Sequence, residues 1–223
     1  MTVDEVLSEL RKHADPRNVE SMAQYGIKTT NAIGVPVPQL KAIAKKIGYD
    51  RELAQKLWST GLREARYVAA FIDDPKLVTP GQMDRWARDF DSWDICDGVC
   101  THLFVKAPGA WKKAFMWPKR KEEFVRRAGF TMMACLAIHD KESENSFFTP
   151  CFALIREFSF DERPMVNKAI SGALTEIGKR NKELKAEALQ LADELATHES
   201  PVAQSIASDV QKELKGPAKR KKA

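Results

Sequence analysis

Apolar residues return at spacings of three and four along nearly the whole chain, and no segment alternates in twos over the length of a strand. A sequence with that pattern buries its apolar stripes by packing helix against helix. Thr2 reads as the cap of a helix over Val3–His13, and Asp15-Pro16 restarts the chain into a helix carrying Met22 and Tyr25. Ile33-Gly34-Val35-Pro36-Val37-Pro38 is expected to run extended, because each proline disfavours α geometry in the residue before it. Pro38 then suits the first turn of Gln39–Ile47. Gly48 ends that helix, Asp50 caps the next through Trp58, Gly61 breaks it, and Leu62–Ile72 follows. Thr79-Pro80 opens a helix with Met83, Trp86 and Phe90. Beyond Ala107-Pro108-Gly109, a short segment with Trp111, Phe115 and Trp117 stops at Pro118. Lys121–Ile138, Glu144–Phe158, Pro164–Ile177, Glu183–Thr197 and Val202–Leu214 bring the count to about a dozen helices. Paired helices turning over roughly every 35–45 residues predict an all-α fold, an α-solenoid (superhelix) of HEAT-like helix pairs with a concave groove. A single domain is expected over 1–214, followed by a basic tail over 215–223 that its composition reads as disordered.

Charge is distributed unevenly. Lys and Arg number 36 against 31 Asp and Glu, a net of +5, but five of the basic residues lie in the tail, so the body before it is neutral. Residues 1–100 carry 14 basic and 15 acidic side chains, residues 101–182 carry 15 and 9, and residues 183–214 carry 2 and 7. A basic centre can attract a polyanion, although scattered solvated lysines give the same composition. No apolar run reaches the ~18 residues of a membrane span, and the acidic start Met1-Thr2-Val3-Asp4-Glu5 is unlike a signal peptide. Four cysteines on apolar stripes suit a reducing compartment, so a cytoplasmic protein with no membrane partner is expected.

Common enzyme signatures are missing: a Gly-rich phosphate loop, a Gly-x-Ser-x-Gly elbow and His-Glu-x-x-His. Cys96-x-x-x-Cys100-x-His102 resembles metal ligands only superficially. Its spacing matches no zinc pattern, and on a helix His102 points about 160° away from Cys100. Neither a metal nor a cofactor is expected. The stretch with chemical potential is Ser92-Trp93-Asp94-Ile95-Cys96-Asp97-Gly98-Val99-Cys100, a helix capped by Asp91 or Ser92. Trp93 and Asp97 fall about 40° apart on that helix, at the rim of its apolar stripe, where an aromatic ring and a carboxylate together could face a cationic ligand.

The chain resembles the AlkD-type DNA alkylation-repair glycosylases, all-helical proteins of HEAT-like repeats, over roughly residues 5–200. The resemblance rests on four places in order: Met22-Ala23-Gln24-Tyr25 with Ile33-Gly34-Val35-Pro36-Val37-Pro38, then Trp93-Asp94-Ile95-Cys96-Asp97, then Phe124-Val125-Arg126-Arg127-Ala128, then Asn167-Lys168-Ala169-Ile170. It implies a monofunctional glycosylase excising cationic N7- and N3-alkylated purines from double-stranded DNA as a monomer, with the lesion left stacked rather than deeply flipped. Asp97 would stabilise the oxocarbenium-like sugar, Trp93 would pack on the sugar or the lesion, and Arg127 would hold a phosphate. Arg126 takes that role if the register shifts by one, and Tyr25 is a further DNA contact. Lys112, Lys113, Lys119, Arg120, Lys121, Lys168, Lys179 and Arg180 are candidate phosphate ligands. Each has a structural alternative: core packing for Trp93, a first-turn acid on the helix dipole for Asp97, a surface salt bridge for Arg127, a half-buried aromatic for Tyr25. One departure stands out. Where the family commonly places a Trp that encloses the lesion, this chain has Gly172. The alternative function is a non-catalytic HEAT-repeat protein that recognises DNA shape or damage. A protein-binding solenoid is a third reading.

Overall fold

Local signals at the helix starts translate directly into hydrogen bonds in the computed structural model, which describes residues 1–216. Thr2 and Glu5 form a reciprocal capping box, Glu5 N–H donating to Thr2 Oγ1 at 3.2 Å and Thr2 N–H to Glu5 Oε2 at 2.7 Å. Asp15, Asp50 and Thr79 cap their helices through side-chain oxygens in the same way. The backbone folds into thirteen α-helices among the described residues, joined by short loops and three 3-10 turns. The chain divides into two compact units, Met1–Gly109 and a second that begins at Ala110. The tail lies outside the described residues from 217 on; Lys215, its first residue, is still helical.

The first unit holds α1 (Val3–Lys12), α2 (Pro16–Gln24), α3 (Val37–Ile47), α4 (Arg51–Ser59), α5 (Arg63–Ile72), α6 (Pro80–Arg88) and α7 (Trp93–His102). Helix α5 packs against α3, α4 and α7, which is why Ala65, Val68, Ala69 and Ile72 are fully buried. Trp58 and Trp86 stack at 4.0 Å with Phe90 edge-on, an arrangement that adds roughly 0.5–1.5 kcal/mol per ring pair beyond burial.

The second unit holds α8 (Ala110–Met116), α9 (Glu123–His139), α10 (Asn145–Phe158), α11 (Pro164–Gly178), α12 (Lys182–Ala196) and α13 (Pro201–Lys215). Here α9 and α11 pack along their lengths, and α11 in turn packs on α13. Within each unit, then, helices two apart in sequence stack side by side: α3, α5 and α7 in one, α9, α11 and α13 in the other. The intervening helices pair with their chain neighbours, as in α4 with α5 and α12 with α13. That is the packing habit of helical-repeat proteins.

All four cysteines are buried, and burial pushes the Cys151 thiol up to about 12, so they serve as small apolar side chains. No helix among the described residues is long and apolar enough to cross a membrane.

Candidate functional site

In the first unit the site is built on the N-terminal end of α7. Ser92 stands at the N-cap, but its hydroxyl makes no cap hydrogen bond; it accepts instead from the Lys28 backbone N–H at 3.1 Å. The expected capping role is thus replaced by a tie to the loop after α2. Trp93, the first helical residue, is half-buried and donates its indole N–H to the Tyr25 carbonyl at 3.0 Å. Two of the sequence motifs, 68 residues apart, therefore meet through one hydrogen bond. The Tyr25 ring itself is 71% exposed. Asp97, one turn after Trp93, is also half-buried, so both side chains stand at the edge between core and water.

Asp94 belongs to the interior. It is 5% exposed and accepts from Arg63 Nε at 2.6 Å. Arg63 also reaches Glu64 at 3.3 Å, and fully buried Glu64 accepts from the backbone N–H groups of Ile33 and Gly34 at 3.1 and 2.9 Å. Gly34 is required in that loop: its φ is +80°, and a Cβ would lie 2.1 Å from the Asp15 carbonyl oxygen. The chain Asp94–Arg63–Glu64–Gly34 thus fixes the start of α7 against the extended loop with charge-assisted bonds. Tyr67 adds a hydrogen bond to the Asp94 carbonyl at 2.8 Å, and burial, with the charge of Asp94, pushes its phenol well above the usual tyrosine range. Sequence reasoning missed Arg63, Glu64 and Tyr67. A readable signal existed: Glu64 sits four residues before Val68 and eight before Ile72, a carboxylate on an apolar stripe.

The second unit carries the candidate phosphate ligands, and they sort by their partners. Arg127 is 6% exposed and donates to the Met165 carbonyl, so it runs between α9 and α11. Arg126 pairs with Asp161 at 2.6 Å, donates to the Pro118 carbonyl at 2.8 Å and lies 4.5 Å over the Phe158 ring. Asp161 also accepts from Arg163. Against the upward push of burial, the two guanidiniums hold its carboxyl down at about 2. Lys179 bonds to Glu176 at 2.8 Å, which raises its pKa, with Glu213 at 3.6 Å. Arg120 is held by Glu122. Lys113 is 2% exposed, and Arg180 donates to the carbonyls of Ala137, Asp140 and Ser143. Lys113 is thus interior, and Arg180, half-buried, is engaged by backbone carbonyls. Lys119 and Lys168 are exposed and make no ion pair among the described residues. Gly172, half-buried on α11, faces open space: a Cβ there meets nothing within 4 Å.

Among the described residues no cluster of three or more His, Cys, Asp or Glu side chains could hold a metal ion. The half-exposed Trp93–Asp97 pair can face a cationic group, and the buried ion pairs behind it keep it in place.

No curated protein matches the chain. A solved structure of a protein from "a new family of proteins related to the HEAT-like repeat DNA glycosylases with affinity for branched DNA structures" superimposes with a TM-score of 0.80. The match covers 95% of each chain at 22% identity, and it shows that the fold is that of the HEAT-like repeat glycosylases. The family model described as "DNA alkylation repair enzyme" matches residues 6–211, and the chain belongs to that family.

Proposed function

We propose that this protein is a monofunctional DNA glycosylase that hydrolyses the N-glycosidic bond of cationic alkylated purines, N7-alkylguanine and N3-alkyladenine. It acts on double-stranded DNA without deep base flipping, as a cytoplasmic monomer that needs no cofactor. The observation that carries this reading is the half-exposed Trp93–Asp97 pair, one helical turn apart, on a helix start held by buried ion pairs.

The chemistry asks little of the protein. The bond breaks with its electron pair going to the ring nitrogen, so the base sheds its positive charge and leaves neutral, without a general acid. Positive charge then develops at the sugar C1′, where the Asp97 carboxylate stabilises it electrostatically. Water, oriented by Asp97, adds to C1′ and gives up one proton to the solvent. The Trp93 face attracts the cationic lesion or sugar by roughly 0.5–2 kcal/mol. Lys119 and Lys168 supply phosphate contacts, and Tyr25 lies beside Trp93 as a further contact.

The test is release of free 7-methylguanine and 3-methyladenine from methylated duplex DNA. Native protein releases both, Asp97→Asn falls by roughly 100-fold or more, and Trp93→Ala falls less. A second reading is favoured by Gly172, which leaves open the place of the lesion-enclosing Trp: a non-catalytic protein that recognises DNA shape, branched structures included. No release by the native protein, together with salt-sensitive binding to a four-way junction, rejects the glycosylase and leaves that alternative.

A further inference from the structure

A second recess in the first unit lies at the other end of the same helices. Trp93 starts α7 and Asp97 lies one turn on, whereas the recess adjoins His102 at the helix end, along the axis roughly 13 Å from Trp93 and roughly 7 Å from Asp97. The C-terminal parts of α3 and α5 and the turn at Lys106 complete it, enclosing about 440 Å³. That volume suits one small organic ligand.

Its walls divide by chemistry. Ala44, Ala70, Pro75 and the ring of Phe71 form the apolar floor, and the exposed Tyr49 ring stands at the edge. Lys41, Lys45 and Lys106 surround the opening, and all three are exposed and make no ion pair among the described residues. Elsewhere in this unit, Lys12, Lys28, Lys46 and Lys56 each hold a carboxylate. Lys41 reaches over Phe71 at 5.8 Å, so cation and ring already converge. The one carboxylate in the wall, Asp73, is 1% exposed and occupied by Gln82 at 2.5 Å, Gln55 at 3.3 Å and Arg51 at 3.4 Å. It therefore puts little negative charge into the opening. The carbonyl ends of α3 and α5 favour cations, which fits lysines, rather than acids, at this rim.

Three unpaired ammonium groups around an aromatic floor select an anion joined to a flat apolar body. We propose that this recess binds one nucleotide, with the phosphate on Lys41, Lys45 and Lys106 and the base against Phe71 and Tyr49. The same chemistry is offered by a free mononucleotide and by the 5′-phosphorylated end of a single strand. This site is separate from the Trp93–Asp97 pair and does not depend on glycosylase activity.

The test is isothermal titration of full-length protein with adenosine 5′-monophosphate, adenosine, inorganic phosphate and 5′-phosphorylated tetradeoxyadenylate. One site for the monophosphate is expected, with at least tenfold weaker binding of adenosine and of phosphate alone. Lys45→Ala with Lys106→Ala weakens the monophosphate at least tenfold, as does Phe71→Leu, while thermal unfolding of the exposed lysine variant stays native. Asp97→Asn leaves it unchanged. A tetranucleotide bound tenfold tighter than the monophosphate identifies a strand end, and equal affinities identify the free nucleotide. The proposal is overturned if the monophosphate fails to bind at millimolar concentration, if adenosine or phosphate binds equally well, or if the lysine variant binds unchanged.

Discussion

The ring of Tyr67 occupies the space that a methyl group on Gly98 would fill. A Cβ at Gly98 would lie 2.5 Å from the ring, whose hydroxyl donates to the Asp94 carbonyl at 2.8 Å. Helix α7 can therefore lie close to α5 because position 98 has no side chain, and this closeness sets where Trp93 and Asp97 emerge.

Gly98→Ala tests that contact. The buried ring cannot swing aside without losing its hydrogen bond, so overpacking should cost about 1–3 kcal/mol. Thermal unfolding followed by circular dichroism should show a lower Tm, and Gly98→Ala combined with Tyr67→Leu should be less damaging than the sum of the two. An unchanged Tm in Gly98→Ala would contradict the packing argument.

Arg63 stands between two carboxylates, each no more than 5% exposed, Asp94 and Glu64. Arg63→Ala leaves both without their counter-charge and should destabilise the fold by about 3–5 kcal/mol in urea unfolding. Asp94→Ala in that background should restore part of the loss; strict additivity would mean the pair is not coupled.

Acid should loosen the second unit through Asp161. Its folded pKa, about 2, lies below the unfolded value near 4. The carboxylate thus contributes fully above pH 4, and the contribution is lost as pH falls through about 2. Roughly 2 kcal/mol is at stake. Asp161→Asn should flatten the dependence of Tm on pH between 4 and 2, while the native protein retains its slope.

Cations of the second unit should separate by their partners. Lys168→Ala should reduce the slope of log affinity for duplex DNA against log salt by about 1. Lys179→Ala should change it less, because Lys179 already holds Glu176 and Glu213. Equal effects in fluorescence anisotropy titrations would remove the distinction.

Gly172→Trp should fold, since nothing lies within 4 Å of its missing Cβ, and replacing a mid-helix glycine by tryptophan gains about 0.5 kcal/mol of helix propensity. If the glycosylase reading holds, the added indole should raise release of alkylated purine; a large drop in Tm would show that the space is not open.

Helix identity and the helix starts were set by residues acting over three or four positions, which is why Thr2, Asp15, Asp50 and Thr79 could be read directly as caps. The Trp93–Asp97 spacing was legible for the same reason, because one turn of a helix is a local rule. Ser92 was misjudged where a local rule met a distant partner, its hydroxyl taken by Lys28 N–H rather than by its own helix. Which arginines and lysines face solvent was decided only by tertiary structure. Arg126 and Lys119 look alike in sequence, yet one is held by Asp161, 35 residues on, and the other is exposed. The same holds for the recess beside Phe71, whose lysines come from α3 and from the turn after α7. A charge's partner is fixed by packing between segments far apart in the chain, and no periodicity in the sequence records it.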